Sequence, residues 1–96
     1  MRRDNEQSLA EAIKKMLQKR GLDEKLLETE IYQRWEELAG KEINLKTRTV
    51  RFKSGTLEVF ITSAALRQNL SLQREELRQT INMRLVNSPV KSLVIR

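Results

Sequence analysis

Apolar residues return at helical spacing from the start of the chain. In "SLAEAIKKMLQKRG", Leu9, Ile13, Met16 and Leu17 fall three and four residues apart, which predicts a first helix over residues 8–20 with a buried stripe. Ser8 and Glu11 fit a capping box at its start. Lys19 and Arg20 suit its last turn, and Gly21 suits its stop. Lys14 and Lys15 lie off the stripe and read as a solvated face. A second helix is predicted over "LDEKLLETEIYQRWEELAG", with Asp23 as a cap and Thr29 as a second one. Ile31, Trp35, Leu38 and Ala39 mark its buried side, and Gly40 ends it. Residues 1–7 are expected to be flexible.

After Gly40 the period changes from helical to alternating. "KTRTVRFKSGTLEVFIT" holds two β-branched runs split by Ser54-Gly55, a hairpin signal. The strands are expected at about 46–53 and 56–62. Val50, Phe52, Leu57, Val59 and Ile61 alternate inward. Thr47, Thr49, Arg51, Lys53, Glu58 and Phe60 form the outward set. Lys46 and Arg48 share parity with Val50 and are expected at the rim of the open face. "SAALRQNLSLQREELRQTINMRLV" is helical again, with Ser63 as N-cap and Ala65, Leu66, Leu70, Leu77, Ile81 and Leu85 on its stripe. "NLS" at 69–71 marks where this helix bends or splits. Pro89 bars its continuation. "VKSLVIR" reads as a third strand with Leu93 and Ile95 inward.

The predicted order is α-α-β-β-α-β, an α+β class. A helical crossover returns the third strand parallel to an earlier one. Each helix has one stripe to bury, so three helices are expected on one face of a three-stranded sheet, with the other face open. Ninety-six residues make a single domain, 1–96. Trp35 is the one tryptophan and shares the stripe of Leu38, so it reads as a core anchor rather than a base-stacking platform.

Charge changes this picture. The net charge is +6, but residues 1–43 carry a net −1 and residues 44–96 a net +7. A basic excess in one half points to an anionic partner. Lys46, Arg48, Arg51 and Lys53 crowd the first strand, and Arg67 and Arg74 follow on the long helix. Phe60 is the one apolar residue of the outward set, placed to stack a base or meet a partner. A solvated basic edge that resists strand-on-strand aggregation gives the same pattern.

Composition also excludes chemistry. There is no Cys and no His, hence no disulfide framework, no Cys/His zinc site and no His-based acid–base catalysis. Gly21, Gly40 and Gly55 are isolated, so no Gly-rich phosphate loop exists. Glu36-Glu37 and Glu75-Glu76 are consecutive and do not face each other on a helix. The chain reads as a non-enzyme with no cofactor and no metal. "MRRDNEQ" leads into an amphipathic segment rather than an apolar leader, and no run is long enough to span a membrane. A cytoplasmic protein is expected.

Several features occur in a familiar order. They are Trp35 before a helix-ending Gly40, Thr47 leading into the hairpin, and "GTLEV" at 55–59. Ser63-Ala64-Ala65 then opens the long helix, Leu70 lies within it, and a short final strand follows. In this order and spacing the chain resembles the DciA family of bacteria over nearly its whole length. The resemblance implies a KH-like domain that binds DNA and assists loading of the replicative helicase. Leu66 stands where the family often carries Trp. The GxxG clamp of ordinary KH domains is absent, so KH-type RNA reading does not carry over.

Three functions follow from these observations. The first is a DNA-binding accessory factor of the replicative helicase, taking single- or double-stranded DNA. The second is an RNA-binding module using the hairpin and long helix. The third is a protein-interaction domain that uses its open sheet face without nucleic acid. The candidate nucleic-acid-binding residues are Lys46, Arg48, Arg51, Lys53, Phe60, Arg67 and Arg74.

Overall fold

A computed structural model of the chain describes the backbone of residues 2–96 and the side chains of residues 8–19 and 21–96. The flexibility expected for residues 1–7 lies outside the described side chains. The elements are α1 (Arg2–Gln33), α2 (Trp35–Ala39), α3 (Lys41–Leu45), β1 (Thr47–Lys53), β2 (Thr56–Ile61), α4 (Ala64–Leu72), α5 (Arg74–Arg84) and β3 (Ser92–Ile95). The sheet order is β1-β2-β3. β1 and β2 run antiparallel, and β3 returns parallel to β2. This is the expected α+β arrangement of helices on one face of an open three-stranded sheet. The expected first and second helices fuse and then break elsewhere, a short α3 is added, and the long helix divides, so five helical segments do the work of three.

The hairpin follows local chemistry. Ser54 and Gly55 both have positive φ, 52° and 81°, as a two-residue type I′ turn requires. A side chain at position 55 would also crowd Lys91 at 3.2 Å, so glycine suits the turn twice over. Gly40 has φ 102° and joins α2 to α3, which turns the chain from the helical layer into β1. Ser63 caps α4 as expected, its hydroxyl accepting from the Leu66 N–H at 3.2 Å. The long helix breaks at Gln73, two residues beyond "NLS".

The core is Ile31, Trp35, Leu38, Val50, Phe52, Leu57, Val59, Ile61, Leu70, Ile81, Leu85, Val90 and Leu93. It lies between the inward face of the sheet and the helices. Asn82 is buried on α5 and clamps the chain that leads to β3: its Nδ2 donates to the Val90 carbonyl at 2.7 Å, and its Oδ1 accepts from the Val90 N–H at 2.9 Å. That reciprocal pair satisfies both ends of a buried amide. Two arginines brace the helical layer from its surface. Arg34 bridges Glu30 and Glu37 beside the α1/α2 break, and Arg78 pairs with Glu75 while also donating to the Val90 carbonyl at 3.0 Å. Hydrogen bonding from Arg34 holds the Glu37 carboxyl below its usual range, and Arg78 does the same to Glu75.

The N-terminal third departs from expectation. α1 runs through Gly21 instead of stopping there, so Ser8 and Asp23 are interior positions rather than caps. Thr29 is no cap either, since its hydroxyl donates to the Lys25 carbonyl within the helix at 3.0 Å. A glycine inside a helix costs only about 1 kcal/mol, and Gly21 meets no neighbour that would force a break. The turns after it are anchored by two carboxylates. Glu28 accepts from the Phe52 N–H and Glu24 from the Ser54 N–H, both at 2.9 Å. A 32-residue helix is about 48 Å long, whereas seven-residue β1 spans roughly 23 Å. The helix therefore outruns the sheet. Leu27 and Ile31 pack on the core, but the expected stripe of Leu9, Ile13, Met16 and Leu17 stands in solvent, 46% exposed at Ile13 and 64% at Leu9.

Candidate nucleic-acid interface

The open sheet face is built around one irregularity. Thr47 pairs with Ile61 and Thr49 with Phe60, so Arg48 is an extra residue in β1. This β-bulge re-aims the strand. Thr47 is pinned inward, accepting from the Trp35 indole Nε1 at 2.9 Å and donating to the Ile43 carbonyl at 2.6 Å. It therefore leaves the outward set in which strict alternation had placed it. Arg48, expected at the rim, turns onto the open face instead. Its guanidinium carbon stands 5.8 Å from the centre of the Phe60 ring, and that of Arg51 stands 5.6 Å away. Each such cation–π contact contributes about 0.5–1 kcal/mol at an exposed site. The bulge thus gives one half-buried aromatic ring two cations.

Beside this ring lies a hollow of about 360 Å³ lined by Arg48, Phe60, Ile61, Thr62, Arg67 and Arg96. Three arginines line it, and no acidic side chain does. Arg67 is held in place from α4, its Nη2 donating to the Ile61 carbonyl at 2.9 Å. Its Nε is buried without a hydrogen-bond acceptor among the described residues. Arg96 is locked to β2 through backbone bonds with Val59 and Ile61, and its Nε donates to Glu58 at 2.7 Å.

Lys53 belongs to a different hollow. About 340 Å³ in size, it lies between β1 and α1 and is lined by Gly21, Glu24, Lys25, Glu28, Arg51, Phe52, Lys53 and Glu58. There three carboxylates face three cations. Lys46 sits at the C-terminal end of α3, 4.0 Å from Glu42, and its carbonyl accepts from the Thr62 N–H and hydroxyl. Arg74 begins α5 next to Glu75 and Glu76. Neither lines the arginine hollow. Of the seven candidates, the structure gathers Arg48, Arg51, Phe60 and Arg67 into one surface, keeps Lys53 at its flank and sets Lys46 and Arg74 apart.

Arg96 was missed by sequence reasoning. The signal was present, since it shares the alternation of Ser92 and Val94, and a parallel third strand sets that parity on the open face. Among the described residues, no cluster of three or more acidic side chains could hold a metal ion, and no helix is long and apolar enough to cross a membrane.

The family model described as Dna[CI] antecedent, DciA, matches residues 8–95. The chain belongs to the DciA family. The match runs from within α1 to the end of β3, so the basic open face lies inside the DciA region except for Arg96, one residue beyond it. Comparison with curated proteins gives no match. DciA proteins are associated with loading of the replicative helicase, as adaptors rather than enzymes.

Proposed function

We propose that the chain is a small basic nucleic-acid-binding adaptor, a cytoplasmic DNA-binding accessory factor of the replicative helicase with no catalytic activity of its own. The observation that carries the reading is the bulge that sets Arg48 and Arg51 against Phe60 beside an arginine-lined hollow with no acidic side chain in its lining. Guanidinium groups match phosphate oxygens in a planar, two-pronged way. An aromatic ring among them offers a stacking surface that any base can use. The arrangement suits tracking of a strand's backbone with little reading of sequence. Helicase partnership follows from family membership.

The test is a salt titration by fluorescence anisotropy with labelled single-stranded DNA, duplex DNA and RNA. Binding at about 50 mM salt should fall steeply as salt rises, because phosphate contacts release counterions. Removing two contacts with Arg48→Ala and Arg51→Ala should reduce the log–log slope for a single strand by about 1.4. Competition between DNA and RNA then separates the first reading from an RNA-binding module. No binding at low salt, or an unchanged slope in the folded variant, leaves the protein-interaction reading in its place. The helicase arm is co-sedimentation with the purified replicative helicase, with and without nuclease.

A further inference from the structure

We infer that the hollow between Arg48, Arg67 and Arg96 is a seat for a phosphate monoester dianion, the group found at a strand's phosphorylated end or on a free mononucleotide. The inference rests on the nucleic-acid reading above and deepens it.

Charge is the first argument. Three guanidinium groups border the hollow, and Glu58 engages one of them, at Arg96. The other two, Arg48 and Arg67, meet no acidic side chain in the lining. An internal phosphodiester carries a single negative charge, whereas a monoester carries about −1.5 to −2 at pH 7. The dianion is the better match. The neighbouring hollow at Lys53 is the internal contrast: it is of similar size, but Glu24 and Glu28 offset two of its three cations, so it attracts an anion less.

Preorganisation is the second argument. Arg67 and Arg96 are already tied, one to the Ile61 carbonyl at 2.9 Å and the other to Glu58 at 2.7 Å, so they lose little freedom on binding. Arg48 is aimed by the bulge and steadied over Phe60. Size is the third. About 360 Å³ lies at the small end of ligand sites, room for a phosphate and part of its nucleoside. Phe60 lines the hollow and also meets Arg51, so the nucleotides that follow an anchored end pass over the ring toward Arg51.

The experiment compares one single strand carrying a 5′-phosphate, a 3′-phosphate or hydroxyl ends, by anisotropy at fixed moderate salt and pH 7.5. A phosphorylated end should bind at least about fivefold tighter, the effect of a charge-assisted contact discounted for solvent exposure. Arg48→Gln and Arg96→Gln should each bring the preference close to one, with circular dichroism confirming the fold. Lys41→Ala, an exposed change on α3, should leave it intact. The preference should shrink at pH 5.5, because the second ionisation of phosphate lies near pH 6. The protein groups around the hollow are Arg48, Arg51, Arg67, Arg96 and Glu58, and the chain has no histidine to titrate there. Competition by a nucleoside monophosphate supports the seat and assigns it to free nucleotides as well. Preference without such competition supports it and assigns it to strand ends. Equal affinity for phosphorylated and hydroxyl strands overturns the seat and leaves the nucleic-acid reading standing. Failure of every strand to bind overturns both.

Discussion

The indole of Trp35 donates a hydrogen bond to the hydroxyl of Thr47 at 2.9 Å. Trp35 is a core residue, and Thr47 immediately precedes the bulged Arg48, so the core fixes the point at which the open face is re-aimed. Trp35→Ala should cost about 3–5 kcal/mol, typical for removal of a buried aromatic. A small domain has about 5–15 kcal/mol in total, so the urea midpoint should collapse. Trp35→Phe keeps the packing and loses the bond, and should cost less while weakening nucleic-acid binding. A Trp35→Ala variant that unfolds at the wild-type midpoint and loses binding alone would show that Trp35 belongs to the site rather than the core.

The edge of β1 is covered by a helix instead of a strand, through Glu28 to the Phe52 N–H and Glu24 to the Ser54 N–H. Glu28→Ala leaves the Phe52 amide without its acceptor and should cost about 1–3 kcal/mol. Amide hydrogen exchange at Phe52 should accelerate at least tenfold, and the exposed edge should favour aggregation. Unchanged exchange at that one amide would remove the cap from the account.

Gly21 tests the continuity of α1. In a helix interior with no neighbour nearby, Gly21→Ala should stabilise the protein by roughly 0.5–1 kcal/mol. Were Gly21 a left-handed stop, the same change would destabilise it. The sign of the shift in melting temperature decides.

The strands were legible because their signals are local. Ser54-Gly55 sets the turn, and alternation from Val50 to Ile61 sets the inward face. Ser63 was legible as a cap for the same reason. The bulge was not, since nothing in "KTRTV" marks Arg48 as the extra residue; Thr47 turns inward because Trp35, twelve positions earlier, supplies a donor. The helix over 8–20 formed as expected, but the burial of its stripe was misread because periodicity states that a face is apolar and not that anything covers it. Its stop failed because the signals at Gly21 are weaker than the anchoring of Glu24 and Glu28 on a strand far along the sequence. Arg67 and Arg48 meet through the hairpin and the crossover, and Arg96 joins them only once β3 is known to lie beside β2.

Acid should weaken the helical layer. Glu37 and Glu75 have depressed carboxyl pKa values in the folded protein, through their bonds from Arg34 and Arg78. Their stabilisation is present above the unfolded value of about 4.3 and is lost as pH falls through the lower folded values. The double variant Glu37→Gln, Glu75→Gln should melt below wild type at pH 7, and the gap should narrow progressively as pH falls below about 4.3. A gap that stays constant on acidification would mean that the pairs contribute nothing through their charge.

The overhang of α1 beyond the sheet has a hydrodynamic consequence. The Cα radius of gyration is 17.4 Å in a body of 63 × 21 × 21 Å. A compact chain of this length has a radius of about 12.5 Å, and 17.4 Å is the radius of a globule of roughly 230 residues. On a column calibrated with spherical standards, a single copy should elute near the position of a dimer. Elution volume will therefore overstate the mass, and only light scattering or sedimentation equilibrium will count the copies.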